Sequence, residues 1–127
     1  YVYSVESTYQ PFSDTGFFGI NFGTEEKTLK KSLTIVHREL EKLRANKLGS
    51  LQLHTAKVQA IGQMAMAEEN YAGLMLVYGK SILDHGKIDP LDLIFEQIRS
   101  TTAAELQDIA QEIFQPDQLT QLIYTPA

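Results

Sequence analysis

The chain opens with a regular alternation of apolar and polar positions. One side of this pattern carries Tyr1, Tyr3, Val5, Ser7 and Tyr9. Turn-forming residues occupy positions 10–16, and apolar residues alternate again at 18, 20 and 22. A period of two is typical of a half-buried strand, and turn residues between two such segments predict an antiparallel β-hairpin.

Beyond residue 24 the apolar spacing changes to steps of three and four, which is the repeat of one helical face. The first predicted helix carries its apolar face at Leu29, Leu33, Val36, Leu40 and Leu43. We expect Thr24 to cap this helix and Gly49 to end it, since hydroxyl side chains favour helix starts and glycine favours helix ends.

A second helix is predicted to begin with Ser50 as its cap. Its inner face is rich in small residues and carries Leu53, Ala56, Ala60, Met64 and Ala67. We expect Met64 and Met66 to belong to the core, because methionine in a helical stripe usually packs there. The polar segment 68–70 indicates a break, and a third helical stretch is expected to end near Gly86.

Cap signals mark two further helices. Asp89 and Pro90 suit the cap and first turn of one, and Thr102 and Glu105 have the spacing of a capping box for the other. The segment Leu119–Tyr124 is predicted to form a strand beside the hairpin. The predicted fold is α+β, in the order β-β-α-α-α-α-α-β: an antiparallel sheet from an N-terminal hairpin and a C-terminal strand, covered on one face by about five helices.

Composition narrows the classes of function. The length of 127 residues predicts a single domain, residues 1–127. The net charge of -5 disfavours nucleic acid and an anionic membrane surface as partners, because both attract basic proteins. The absence of cysteine excludes a disulfide, a thiolate zinc site and a cysteine nucleophile within these residues.

Residues with catalytic or metal-binding chemistry are sparse. His37, His54 and His85 form neither a His-x-x-x-His nor a His-x-x-Glu-His spacing. His37 and Glu41 are four residues apart, but two ligands do not complete a zinc site. The adjacent glutamates at 68–69 point in different directions on a helix, so they form a poor acid/base pair. From the residues alone we predict no catalytic residue and no metal ligand.

The order of several motifs resembles one protein family. Residues 1–7 are similar to a Gly-x-x-Tyr-Ser-Val-Ser strand, and residues 14–24 to the strand and helix start that follow it. Residues 54–69 are similar to a Glu-Leu-x-x-Ala-Lys helix, residues 98–106 to an Ile-x-x-Val-Thr-x-x-Asp-Leu helix start, and residues 122–126 to a closing strand. These motifs resemble those of the pitrilysin/insulinase-type zinc metallopeptidases, which include the mitochondrial processing peptidases. The resemblance covers nearly the whole chain.

The resemblance implies a role without catalysis. The family binds zinc through a His-x-x-Glu-His motif and a distant Glu in an earlier domain, and this chain lacks that motif. The chain is then expected to be a fragment, the later part of the C-terminal, non-zinc-binding domain of a chamber-forming peptidase that cleaves peptides. Its expected contribution is substrate enclosure and binding, with no enzyme activity and no cofactor of its own, while the parent protein holds zinc in the earlier domain.

The implied partners are that zinc-binding N-terminal domain and a peptide substrate, and the resemblance also allows a homo- or hetero-dimer. The one implied site residue is Tyr1, a substrate-binding tyrosine. In the family an Arg and a Tyr lie near the reacting carbonyl, and the Arg would precede residue 1. A phenol can donate a hydrogen bond to a carbonyl or to the oxyanion formed when zinc-bound water attacks. The structural alternative is an aromatic ring packed on the sheet.

Two other functions stay open at this point. The parent protein can be an inactive relative that acts as a scaffold or partner subunit, which an intact upstream His-x-x-Glu-His motif would refute. The chain can also be a free-standing ligand-binding α+β domain, since one fold hosts many functions. A strand order unlike that of the peptidases would support this last hypothesis.

Overall fold

The computed structural model describes residues 2–12 and 14–125. Two strands come first, β1 (Val2–Pro11) and β2 (Gly16–Thr24). Five helices follow, α1 (Glu26–Ala45), α2 (Ser50–Ala67), α3 (Tyr71–His85), α4 (Leu91–Ser100) and α5 (Ala103–Ile113), and a short 3-10 helix at Pro116–Gln118. The fold is α+β with an antiparallel sheet, as the sequence predicts.

The predicted antiparallel hairpin is formed. Val5 lies opposite Phe22, Ser7 opposite Ile20, and Tyr9 opposite Phe18. Because directly opposed residues in an antiparallel pair point to the same face, Val5 and Tyr9 share one face of the sheet with Phe18, Ile20 and Phe22. Phe18 packs edge-on against Phe114, which follows α5, with 5.2 Å between the ring centroids.

The predicted C-terminal strand is not formed. Within the described residues the sheet contains β1 and β2 alone, and Leu119–Thr125 has no strand pairing. Leu122 is 76% exposed and Tyr124 is 87% exposed. A groove separates this segment from β2, so the backbone hydrogen bonds that define a strand have no partner there. We call residues 119–125 the C-terminal segment.

The chain divides into two compact units. Unit 1 comprises Tyr1–Lys47 and Leu106–Ala127, and unit 2 comprises Leu48–Glu105. That residues 1–127 form one domain stays a prediction. In the described part of unit 1 the buried hydrophobic core consists of Leu40, Ala110 and Phe114, and the half-buried residues around it are Ile20, Val36, Leu43 and Leu119. Leu40, Val36 and Leu43 belong to the predicted apolar face of α1.

The C-terminal end of α1 is fastened to α5 within unit 1. The backbone carbonyl of Arg44 accepts hydrogen bonds from Gln107 Nε2 and Gln111 Nε2, both at 3.0 Å. The Arg44 guanidinium contacts Glu41 Oε2 at 2.6 Å and Gln115 Oε1 at 3.2 Å. The last carbonyls of a helix have no partner inside the helix, so these side chains satisfy one of them and fix the position of α1.

Unit 2 contains α2, α3 and α4, with α2 in contact with α4. Lys57 Nζ, on α2, donates to the backbone carbonyl of Arg99 at 2.6 Å. Met66 is 67% exposed and Met64 37% exposed, so the prediction that they belong to the core is wrong for the described residues. No described helix combines the length and the apolar character needed to cross a membrane.

Helix ends follow the sequence signals closely. The α3 cap is Asn70, whose side chain accepts from the Gly73 backbone N–H at 3.1 Å, and α3 ends at Gly86 with a φ of 71°. The predicted box at Thr102 and Glu105 is confirmed, because each side chain bonds to the backbone N–H of the other residue. Only glycine adopts the Gly86 conformation at little cost.

Three helix starts differ from the prediction by one residue. The N-caps are Glu25 for α1, Gly49 for α2 and Pro90 for α4, where Thr24, Ser50 and Asp89 were predicted. Helix α1 also ends at Ala45, earlier than the predicted Gly49. At Gly49 the Gln52 side chain accepts from the backbone N–H at 3.1 Å, which replaces the expected serine cap. Such shifts are ordinary at helix termini.

Candidate functional site

Tyr1, the predicted substrate-binding residue, lies outside the described residues. Its proposed role therefore stays a prediction. The next tyrosine on the strand, Tyr3, is described and is 76% exposed.

A β-bulge sets the position of Tyr3. Val2 pairs with Thr24 and Ser4 pairs with Gly23, so Tyr3 is the extra residue on β1. Bulges bend a strand locally and change the direction of a side chain, and they are common near functional sites. In this protein the bulge accompanies a contact between the first strand and the start of α1, since Tyr3 Oη donates to Glu25 Oε1 at 3.1 Å.

Glu25 connects the phenol to a cation. Its Oε2 atom lies 2.5 Å from Lys27 Nζ. The hydrogen bond from Lys27, and secondarily that from Tyr3, lowers the pKa of the Glu25 carboxyl. The same carboxylate raises the pKa of the Tyr3 phenol, chiefly by accepting its hydrogen bond. Tyr3 therefore keeps its proton, and the phenol remains a hydrogen-bond donor at neutral pH.

These residues border a small cleft of about 240 Å³, which is lined by Val2, Tyr3, Glu25, Lys27 and Thr28. The cleft offers a phenol and an ammonium group as hydrogen-bond donors and a carboxylate as an acceptor. Such groups can hold the backbone or the charged end of a peptide. The arrangement contains no nucleophile paired with a base, so it is suited to binding rather than to bond cleavage.

A much larger groove lies beside β2 in unit 1, with a volume of about 1610 Å³. Its walls are β2, part of β1 (Ser4, Glu6 and Tyr9), one side of α1, the end of α5 and the C-terminal segment. The apolar lining from α1 is Leu29, Leu33, Val36 and Leu40, four of the five residues of the predicted helical face. The hydrophobic face of α1 is therefore only partly covered by the rest of unit 1.

The C-terminal segment is tethered across this groove by one side-chain pair. Gln121 Nε2 lies 2.6 Å from His37 Nε2 on α1. A neutral imidazole nitrogen can accept a hydrogen bond from the glutamine amide. His37 can therefore hold the C-terminal segment by a hydrogen bond that needs no metal ion. The carboxylates lining the groove are those of Glu6, Glu25, Glu26 and Glu112, and the lining contains no lysine or arginine among the described residues.

The remaining candidates for chemistry are dispersed. His54 and His85 lie exposed in α2 and α3, and Glu68 is the C-cap residue of α2. Over residues 2–12 and 14–125, no group of three or more His, Asp or Glu side chains could hold a metal ion.

Comparison with known proteins indicates the class of protein that this chain resembles. Residues 1–59 match the family described as "Peptidase M16 inactive domain". The match covers the first 59 of the 127 residues, and it indicates that the chain resembles the C-terminal domain of the M16, or pitrilysin-like, peptidase family rather than its zinc-binding one. The resemblance inferred from the sequence motifs is confirmed.

Two relatives, both named zinc proteases, are similar in sequence to most of the chain. A Bacillus subtilis protein named "Uncharacterized zinc protease YmxG" is 26% identical over 121 residues, 95% of this chain and 30% of the relative. A Streptomyces coelicolor protein named "Uncharacterized zinc protease SCO5738" is 28% identical over 111 residues, 87% of this chain and 24% of the relative. The chain therefore spans about a quarter to a third of each relative's length.

Sequence reasoning missed Tyr3 and Glu25. A usable signal exists for Tyr3, because the Tyr-Ser-Val of the family strand falls on positions 3–5 rather than on position 1. No signal exists for Glu25, whose contact with Tyr3 spans 22 positions and depends on how the hairpin meets α1.

Proposed function

We propose that the chain is the non-catalytic C-terminal part of a chamber-forming zinc metallopeptidase that cleaves peptides. Its contribution is to enclose and bind the substrate. The observation that carries this proposal is the match of residues 1–59 to an inactive peptidase domain, together with relatives that are named zinc proteases.

Zinc has its place in the N-terminal partner domain under this proposal. Under this proposal the chain provides no zinc ligand, in keeping with the lack of a metal-binding cluster among residues 2–12 and 14–125. Zinc bound in the partner domain would supply the activated water and the Lewis acid. Peptide substrate and the N-terminal domain are then the two partners of this chain, and a homo- or hetero-dimer of the whole protein is compatible with both.

Substrate binding is proposed to use the phenols at the start of β1. A phenol donates a hydrogen bond to a peptide carbonyl and donates a stronger one to an oxyanion, so it favours the transition state over the substrate. Tyr1 is the residue that the sequence resemblance assigned. Tyr3 supports the same role by its exposure and by the bulge that carries it, and Glu25 would orient its ring until a substrate carbonyl replaces the carboxylate.

Reconstitution tests the proposal. The chain and the zinc-binding domain of the same protein are assayed separately and together with a quenched fluorescent peptide. We expect no hydrolysis by the chain alone and hydrolysis by the combination. A combination that binds zinc yet cleaves no peptide would support the alternative, a scaffold or partner subunit of an inactive family member.

Two matched variants then test the contribution of each phenol to catalysis. In the combination, Tyr1→Phe and Tyr3→Phe each remove a single hydroxyl. Loss of one transition-state donor is expected to lower kcat about 100-fold with little change in KM. If neither variant lowers kcat by more than about twofold, neither phenol acts on the reacting carbonyl, and the role of the chain is enclosure alone.

A further inference from the structure

Hydroxyl groups connect the end of β2 to the first turns of α1. Thr24 Oγ1 lies 2.7 Å from Thr28 Oγ1, and the Thr28 hydroxyl also donates to the backbone carbonyl of Glu25 at 3.1 Å. The same carbonyl accepts from the Thr28 backbone N–H at 2.9 Å. Thr24 and Thr28 are half-buried, so these bonds are partly shielded from competing water. Glu25, the residue between the strand and the helix, is therefore held by two atoms of Thr28.

We propose that Thr28 is a positioning residue for the Tyr3 phenol, because its hydroxyl fixes the turn that presents the Glu25 carboxylate to Tyr3 Oη. This inference deepens the proposed function, since it names a residue that acts on the phenol through Glu25, and it rests on that function for its effect on catalysis. The contacts that carry it join residues between positions 2 and 28 and do not involve the groove beside β2.

The direction of the hydroxyl bonds follows from the number of protons. A threonine hydroxyl has one proton to donate and two lone pairs that accept. Thr28 gives its proton to the Glu25 carbonyl, which can only accept, so Thr24 is the donor in the bond to Thr28. Successive hydrogen bonds that point the same way polarise one another, which strengthens each of them. The bond from Thr24 therefore tightens the hold of Thr28 on the Glu25 backbone.

The same junction holds the backbone beside Tyr3. Thr24 pairs with Val2 in the hairpin, and Val2 precedes the bulged Tyr3. At the other end of the side chain, Tyr3 Oη donates to Glu25 Oε1 at 3.1 Å. Tyr3 is thus constrained at its backbone through Thr24 and at its hydroxyl through Glu25, and both of these residues are bonded to Thr28. An exposed phenol without such constraints samples several rotamers, whereas a transition-state donor needs a fixed one.

The alternative is a local bond that has no effect on the phenol. A threonine on a helix commonly bonds to a backbone carbonyl three or four positions earlier. Thr34 does so in the same helix, donating to the Lys30 carbonyl at 2.9 Å, and it lines neither the small cleft nor the groove. Thr34→Val is therefore the matched control for Thr28→Val, since it removes the same kind of bond away from the cleft that Tyr3 lines.

Titration of the Tyr3 phenol tests the positioning role. The pKa of Tyr3 is raised, chiefly because the Glu25 carboxylate accepts its hydrogen bond. NMR of the chain with carbon-13 at the tyrosine Cζ follows this pKa from about pH 8 to 12, and Tyr3→Phe identifies the signal. Thr28→Val should lower the Tyr3 pKa toward its usual value, because the carboxylate is no longer held against the phenol. Thr28→Ser, which keeps the hydroxyl, and Thr34→Val should leave it raised. Lys27 stays in place in every variant, so its effect on Glu25 is common to all of them.

A double-mutant cycle then connects the position of the phenol to catalysis. In the combination with the zinc-binding domain, Thr28→Val should lower kcat severalfold with little change in KM, and it should have no further effect once Tyr3→Phe has removed the phenol. Circular dichroism verifies that the variants fold alike. A Tyr3 pKa that is the same in Thr28→Val as in the wild type, or a Thr28 effect on kcat that persists in Tyr3→Phe, would overturn the proposal. If the combination cleaves no peptide, the proposed function fails, but the titration still decides whether Thr28 positions the phenol.

Discussion

At the scale of single residues, the contact between Tyr3 and Glu25 makes a prediction about titration. The pKa of Glu25 is lowered first by Lys27 and second by Tyr3. Removing either donor should raise the Glu25 pKa toward its usual value, and Lys27→Gln should raise it more than Tyr3→Phe. Carboxyl carbon chemical shifts measured by NMR across pH 2–7 report this pKa. A larger rise in Tyr3→Phe than in Lys27→Gln would contradict the order of the two causes.

The contacts and roles of individual side chains were the hardest features to predict from the sequence. The tyrosines at the start of β1 were visible as aromatic residues in a strand pattern, but the pattern cannot show which one is displaced by a bulge. The bulge arises from pairing with β2, since Val2 and Ser4 face neighbouring residues Thr24 and Gly23. His37 likewise looked like a weak metal ligand, and only the fold reveals its contact with Gln121.

At the scale of elements, the capping box of α5 carries a pH-dependent contribution to stability. The Glu105 pKa is lowered because its carboxylate accepts from the backbone N–H and the hydroxyl of Thr102. A carboxyl with a lower pKa in the folded state stabilises the fold above its unfolded pKa, and this contribution is lost as pH falls through the folded pKa. Thr102→Ala removes the hydroxyl that bonds to the Glu105 backbone N–H and carboxylate, so it should lower the free energy of unfolding at pH 7.

Urea denaturation at pH 7 and pH 2 measures this effect. The cost of Thr102→Ala should be smaller at pH 2, where the carboxylate is protonated. Glu105→Gln is the matched control, because the amide oxygen keeps an acceptor for the backbone N–H but does not titrate. If wild type and Glu105→Gln lose the same stability between the two pH values, Glu105 does not contribute to the dependence.

The sequence predicted elements well because their signals are local. Turn residues, the apolar repeat and the capping box lie within a few positions of the structure that they specify. The closing strand failed because pairing is not local. Residues Leu119–Tyr124 have an apolar pattern that favours an extended chain, but a strand also needs a neighbour about 5 Å away, and here the groove intervenes. Met66 failed for a similar reason, since periodicity indicates a helical face but not what covers it.

At the scale of the whole molecule, contacts between distant segments hold unit 1 together, and the Arg44 carbonyl is the clearest case. Gln107 and Gln111 both donate to it, so each single alanine variant leaves one donor in place. We expect each single change to cost less than about 1 kcal/mol, and the double change to cost about 1–2 kcal/mol, more than the sum of the two. Chemical denaturation measures both, with Gln63→Ala in α2 as the control for loss of an exposed helical glutamine.

Additive costs for the two glutamines would mean that the Arg44 carbonyl is satisfied in another way when either is absent. The sequence offered no means of predicting this arrangement. Neither the division into two units nor the groove could be predicted from periodicity, because both depend on which apolar faces meet in three dimensions. The family resemblance was predictable because it rests on the order of motifs along the chain rather than on their contacts.

The open edge of β2 also has a consequence for handling the protein. From Gly16 to Gly23 the strand contains three phenylalanines and an isoleucine, with no charged residue and no proline. Proteins usually protect a strand edge of this kind with lysine, proline or a covering segment, because otherwise two copies pair edge to edge and nucleate amyloid-like aggregates. The isolated chain should therefore be prone to aggregation at high concentration, and a single lysine in place of Asn21 would act as a gatekeeper against it.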